Sequence, residues 1–163
     1  MFWWSGEVAS VSSTAYDFRC ATLLGERIPR VFGAPGVPGF DVNYCLSPSV
    51  GDTPAATLVH RDSGRVLQVF TDQPGLQLYT GNHLDGIPGK LGAKYTQHSS
   101  VALETQNYPD AVHHVSCTFM FISSSSSSIS DAGCSLVVCD KCLQFSSDTL
   151  LRQLHWLRLR NDL

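Results

Sequence analysis

Between Gly6 and His114 the chain runs in strand-sized apolar segments broken by clusters of Gly, Pro, Asp and Ser, with little of the spacing of an amphipathic helix. That punctuation predicts an all-β region. Arg61-Asp62-Ser63-Gly64 lies between Ala56-Thr57-Leu58-Val59-His60 and Val66-Leu67-Gln68-Val69-Phe70 and reads as the turn of a hairpin. Gly33 to Gly39 and Asn82 to Gly92 read as Pro/Gly-rich loops. At 163 residues, 43% of them hydrophobic and 15% charged, the chain is long enough for one globular domain and is not disordered by composition.

Three of the segments share one arrangement, an apolar face opposite a face bearing carboxylates and amides. Phe40, Val42, Tyr44 and Leu46 alternate with Asp41, Asn43 and Cys45; Leu76, Leu78 and Thr80 alternate with Gln77 and Tyr79. In the third, Val101, Leu103 and Thr105 alternate with Ala102, Glu104 and Gln106 before the turn at Pro109-Asp110. Successive side chains on a strand point to opposite faces. If the apolar faces share a core, the polar faces can line one groove holding Asp41, Gln77 and Glu104. Amides, carboxylates and an aromatic suit a sugar, whose hydroxyls need paired donors and acceptors. The bland alternative for each residue is a solvated polar side chain on a strand, which is the commoner fate of a carboxylate.

The stretches Gln73-Pro74-Gly75-Leu76-Gln77-Leu78-Tyr79-Thr80-Gly81-Asn82 and Leu103-Glu104-Thr105-Gln106-Asn107-Tyr108-Pro109-Asp110-Ala111 carry a resemblance as well. With Tyr16-Asp17-Phe18-Arg19, Gly39-Phe40-Asp41-Val42-Asn43-Tyr44 and Ser63-Gly64-Arg65-Val66-Leu67, in this order, the chain resembles the aldose 1-epimerases, specifically the galactose mutarotases of animals. The resemblance runs from about Gly6 to His114 and corresponds to the C-terminal portion of a family enzyme. It implies part of a galactose-mutarotase-like β-sandwich and an isomerase that interconverts the α and β anomers of galactose or glucose in hexose metabolism, without a cofactor. It also implies that Glu104 is the general base at the anomeric hydroxyl and that Asp41 and Gln77 bind sugar hydroxyls. The family's acid, a histidine aided by a second histidine and an arginine, comes from a portion preceding Gly6. A truncated, catalytically silent carbohydrate-binding or interaction fragment is therefore the alternative expectation. His98 matches a histidine seen before the glutamate motif and reads as structural. His83 stands where the family has an aromatic.

A formal net charge of -3 supplies no basic field for nucleic acid and no polybasic segment for anionic lipid. No apolar run approaches the length of a membrane span, and Met1-Phe2-Trp3-Trp4 is too short for a secretory leader, so the six cysteines read as reduced thiols in the cytoplasm. The expected partner is a hexose, galactose or glucose, not nucleic acid or membrane; the sequence is compatible with a monomer and does not set the oligomeric state. No Gly-rich phosphate loop, nucleophile elbow or His-Glu-x-x-His motif is present.

Past His114 the character changes. The division expected is 1–114 as epimerase-like β-sandwich and 115–163 as a tail outside the family pattern. That tail reads either as an alternative or mispredicted end of a coding sequence or as a lineage-specific addition. It holds a serine run from Ser123 to Ser128, read as a flexible linker. Cys134, Cys139, Cys142 and His155 make a C-x4-C-x2-C-x12-H pattern, in which only the Cys139/Cys142 spacing is familiar for zinc, and no metal site is expected. Leu150, Leu151, Leu154 and Leu157 fall on one helical face with Ser147 or Asp148 as cap, which predicts a short C-terminal helix.

Overall fold

The computed structural model describes residues 8–32, 36–48, 52–109, 111, 135–139 and 155–159. Strands in chain order are β1 (Thr22–Leu23), β2 (Asp41–Cys45), β3 (Ala56–His60), β4 (Arg65–Val69), β5 (Gly75–Tyr79), β6 (Ile87–Pro88), β7 (Lys94–Tyr95), β8 (Ser100–Gln106), β9 (Ser135–Cys139) and β10 (His155–Leu159). One α-helical turn, α1 (Leu24–Arg27), follows β1. Two four-stranded antiparallel sheets result, β1-β10-β3-β4 and β2-β5-β8-β9, with β6 and β7 as a separate ribbon. Among the described residues no helix is long and apolar enough to cross a membrane.

The alternation read from the sequence decides which faces meet. Ala56 and Leu58 of β3 and Leu157 and Leu159 of β10 join one buried cluster with Tyr44, Leu76, Leu78, Val101 and Leu103 of the other sheet. Phe18, Leu24, Ile28, Val31 and Phe40 fill the same cluster from connecting segments. A shared core of inward-facing residues from two sheets is a partial β-sandwich, as expected. Phe18 and Phe40 lie 5.3 Å apart by ring centroid, and Tyr44 donates its hydroxyl to the Tyr16 carbonyl at 3.2 Å. Burial pushes the Tyr44 phenol well above its ordinary range, because the charged form would lose its hydration there.

The hairpin expected at Arg61-Asp62-Ser63-Gly64 forms between β3 and β4, paired from Ala56↔Val69 to His60↔Arg65. Gly64 takes φ +67 at the turn, and His60 Nδ1 sits 2.7 Å from Ser63 Oγ. The loop read over Asn82 to Gly92 contains β6 and a 3-10 turn at Lys90–Gly92.

The C-terminal helix is corrected where the chain can be described. His155–Leu159 is a strand inserted between β1 and β3, with Thr22↔Leu157 on one side and Leu58↔Leu157 on the other. Leu157 and Leu159 are buried together, a period of two that a helix would not give. Leucine-rich spacing is a weak helix signal, and five cross-strand partners on β3 outweigh it. Leu150, Leu151 and Leu154 lie outside the described residues, as do Ser123 to Ser128. Of the thiol and imidazole pattern, Cys139 ends β9 and His155 opens β10, in different sheets, while Cys134 and Cys142 lie outside the described residues.

Candidate functional site

The outward face of β2, β5 and β8 collects the polar side chains that the alternation left out of the core. The ladder between β5 and β8 sets Gln77 opposite Glu104, and the ladder between β2 and β5 sets Asn43 opposite Gln77 and Asp41 opposite Tyr79. Directly opposed residues on one face of an antiparallel pair lie about 5 Å apart at Cβ, so these side chains meet. Asp41, Gln77, Tyr79, Glu104, Gln106 and Pro109 line one groove of about 440 Å³. The sequence's three candidates therefore share one groove.

Within it, Gln77 donates from Nε2 to Asp41 Oδ1 at 2.8 Å. That bond fixes the amide, because the nitrogen must face Asp41 and Oε1 must face the opposite way. Glu104 is neither fully buried nor fully open. Two carboxylates on either side of an amide supply acceptors flanking a mixed donor and acceptor, which matches adjacent hydroxyls on a pyranose. Tyr79 adds a ring to the wall, and its hydroxyl accepts the backbone N–H of His83 at 3.1 Å. Gln106 donates to Asn43 Oδ1 at 3.3 Å across β5. Gly75 permits that crossing, since a Cβ there would lie 2.8 Å from Asn43 Oδ1.

Asp41 is the first residue of β2, the outer strand of its sheet, and directly follows Phe40. Thr80 and Asn82, 0% and 3% exposed, hold both backbone polar groups of Phe40. Thr80 falls on the apolar parity and is buried as that parity requires, but its hydroxyl role was not legible from alternation. Tyr79 and Gln106 had the correct parity, yet nothing distinguished them from solvated residues. His98 holds φ +60, and its Nε2 lies 2.9 Å from the Pro38 carbonyl oxygen.

Away from the groove, Asp17 accepts from Arg19 Nη2 at 2.8 Å and Nε at 3.0 Å. The guanidinium's hydrogen bonds hold the Asp17 carboxyl at about 2. No group of three or more His, Cys, Asp or Glu side chains suited to a metal ion occurs among the described residues.

The fold and site thus define a partial β-sandwich with a polar groove on one outer face. The family model described as Aldose 1-epimerase matches residues 3–122, and the chain belongs to the aldose 1-epimerase family. It is similar to the galactose mutarotases of Bos taurus and Homo sapiens, each 49% identical over 110 residues, 67% of this chain and 31% of that protein. The aldose 1-epimerase of Escherichia coli (strain K12) is 32% identical over 106 residues, 64% of this chain and 31% of that protein. The chain spans less than a third of the length of the curated relatives it matches.

Proposed function

We propose that the groove binds a hexose, galactose or glucose, and supplies the base half of an anomer interconversion. Mutarotation removes the proton of the C1 hydroxyl and protonates the ring oxygen, the ring opens to an aldehyde, and closure on either face gives either anomer. Glu104 takes the hydroxyl proton; Asp41 and Gln77 hold other hydroxyls and fix the ring. The convergence of these three side chains on one groove carries the reading. No cofactor enters this chemistry, because the C1–O5 bond breaks and re-forms with proton transfers alone and no change of oxidation state.

A second reading follows from the groove's lining. Its described lining contains no histidine, lysine or arginine, and a tyrosine, Tyr79, is the one proton donor of ordinary acid–base type beside the carboxylates there. A positioned acid or base contributes about 10²- to 10⁴-fold. In this proposal the 163-residue chain binds sugar but turns it over poorly unless an acid is supplied from elsewhere. Calorimetric titration with galactose and glucose should show binding that weakens in Asp41→Asn, while polarimetry should show mutarotation near the uncatalysed rate. A large rate lost in Glu104→Gln would overturn the silent reading and support a complete catalyst. Absence of sugar binding would overturn both.

A further inference from the structure

Phe40 precedes Asp41, and side chains from just beyond β5 engage its two backbone polar groups. Its N–H donates to Thr80 Oγ1 at 2.8 Å, and its carbonyl accepts Asn82 Nδ2 at 2.9 Å and the Thr80 N–H at 3.1 Å. The Thr80 hydroxyl donates its single proton to Asn82 Oδ1 at 2.6 Å. Gln97 Nε2 in turn donates to the Asn82 carbonyl at 3.1 Å. Gly39 leaves space for this cluster: it holds φ +127, and a Cβ there would collide with Asn82 Oδ1 and lie 2.8 Å from Thr80 Oγ1. On its other side the Gly39 N–H donates to the Val31 carbonyl at 2.8 Å.

A buried polar cluster costs desolvation that an apolar strand end would avoid, and it is retained here with its members mutually satisfied. Its position says what it holds. Outer-strand ends fray, and Asp41 is the first residue of an outer strand with its side chain exposed to the groove. The cluster extends the β2–β5 pairing by one residue beyond Asp41↔Tyr79, using a hydroxyl and an amide as additional partners.

We propose that Thr80 and Asn82 are positioning residues that lock the Phe40 backbone and thereby hold the Asp41 carboxylate against Gln77. Their effect on sugar affinity rests on the proposed hexose reading; their effect on the Asp41–Gln77 bond does not. In the sugar-free protein, the side-chain amide resonances of Gln77 report that bond by NMR. Thr80→Val should move them toward their positions in Asp41→Ala, whereas Thr80→Ser, which keeps the hydroxyl, should leave them in place. In sugar titrations Thr80→Val should weaken binding on the order of tenfold and add little in an Asp41→Ala background.

Unchanged Gln77 resonances in folded Thr80→Val, or an equal loss of affinity with and without Asp41, would overturn the inference. Should Thr80→Val not fold, amide exchange in the unaltered chain decides: slow exchange at Phe40 supports the lock, and exchange as fast as at an exposed loop amide overturns it. A chain that binds no sugar but shows the Gln77 shifts would sink the hexose reading and leave the lock standing.

Discussion

The two sheets obey one alternation rule and use their outer faces differently. Their inner faces feed the same core. On the outer side of β3 and β4, Val59 faces Val66 and Thr57 faces Gln68, pairs of the kind that stabilise a ladder. Across β2, β5 and β8 the equivalent positions carry Asp41, Asn43, Gln77, Tyr79, Glu104 and Gln106, with hydrogen bonds running from strand to strand. Polar alternation marks an exposed face; convergence of complementary polar groups across three strands marks a candidate site.

The sharpest break between core and groove should come from neighbours on one strand. Leu103→Ala removes a fully buried side chain and should cost about 2–5 kcal/mol in denaturant unfolding. Glu104→Gln, one residue on, should leave the unfolding midpoint nearly unchanged, and a comparable loss there would erase the distinction between the faces. Gly39→Ala tests the strand end: positive φ and the clash with Asn82 predict a loss of about 1–3 kcal/mol, read as a lower thermal midpoint.

Smaller effects test the first sheet. Val66→Thr, on an edge position 59% exposed, should shift stability by no more than about 0.5 kcal/mol and leave sugar titrations as they were. Of similar size is the effect of the Asp17–Arg19 pair, which lies outside the strands. Its carboxyl is depressed to about 2 in the folded chain, below the ordinary value of 3.8, so its stabilisation is present above pH 3.8 and disappears as pH falls through 2. The pair is partly exposed, and solvent screening limits it to about 1 kcal/mol or less. Acid unfolding of Asp17→Asn against the unaltered chain should converge at the acid end and separate slightly above it.

Alternation made the sandwich and its groove legible, because period two at Phe40 to Leu46, Leu76 to Thr80 and Val101 to Gln106 fixes which side chains go inward. The hairpin was legible from Asp62, Ser63 and Gly64, whose types suit the turn. The strand at His155–Leu159 was not, since its partners Thr22 and Leu58 are distant in the chain and local leucine spacing favoured a helix. The Thr80–Asn82 lock was hidden for a related reason: side-chain bonds to Phe40 join positions 40 and 42 residues apart.

The place of β10 has a consequence for how the chain is made. It lies between β1 and β3, so the first sheet's two outer parts have no direct ladder and are joined through the last described strand. β2, β5 and β8 can pair as soon as Gln106 has emerged, whereas the strand that β1 pairs with among the described residues is His155 to Leu159. Pairing so far apart in the chain raises the contact order of the first sheet above that of the second. Shortening the chain before His155 would take out the middle of a sheet and leave two raw edges, on the side of the sandwich away from the groove.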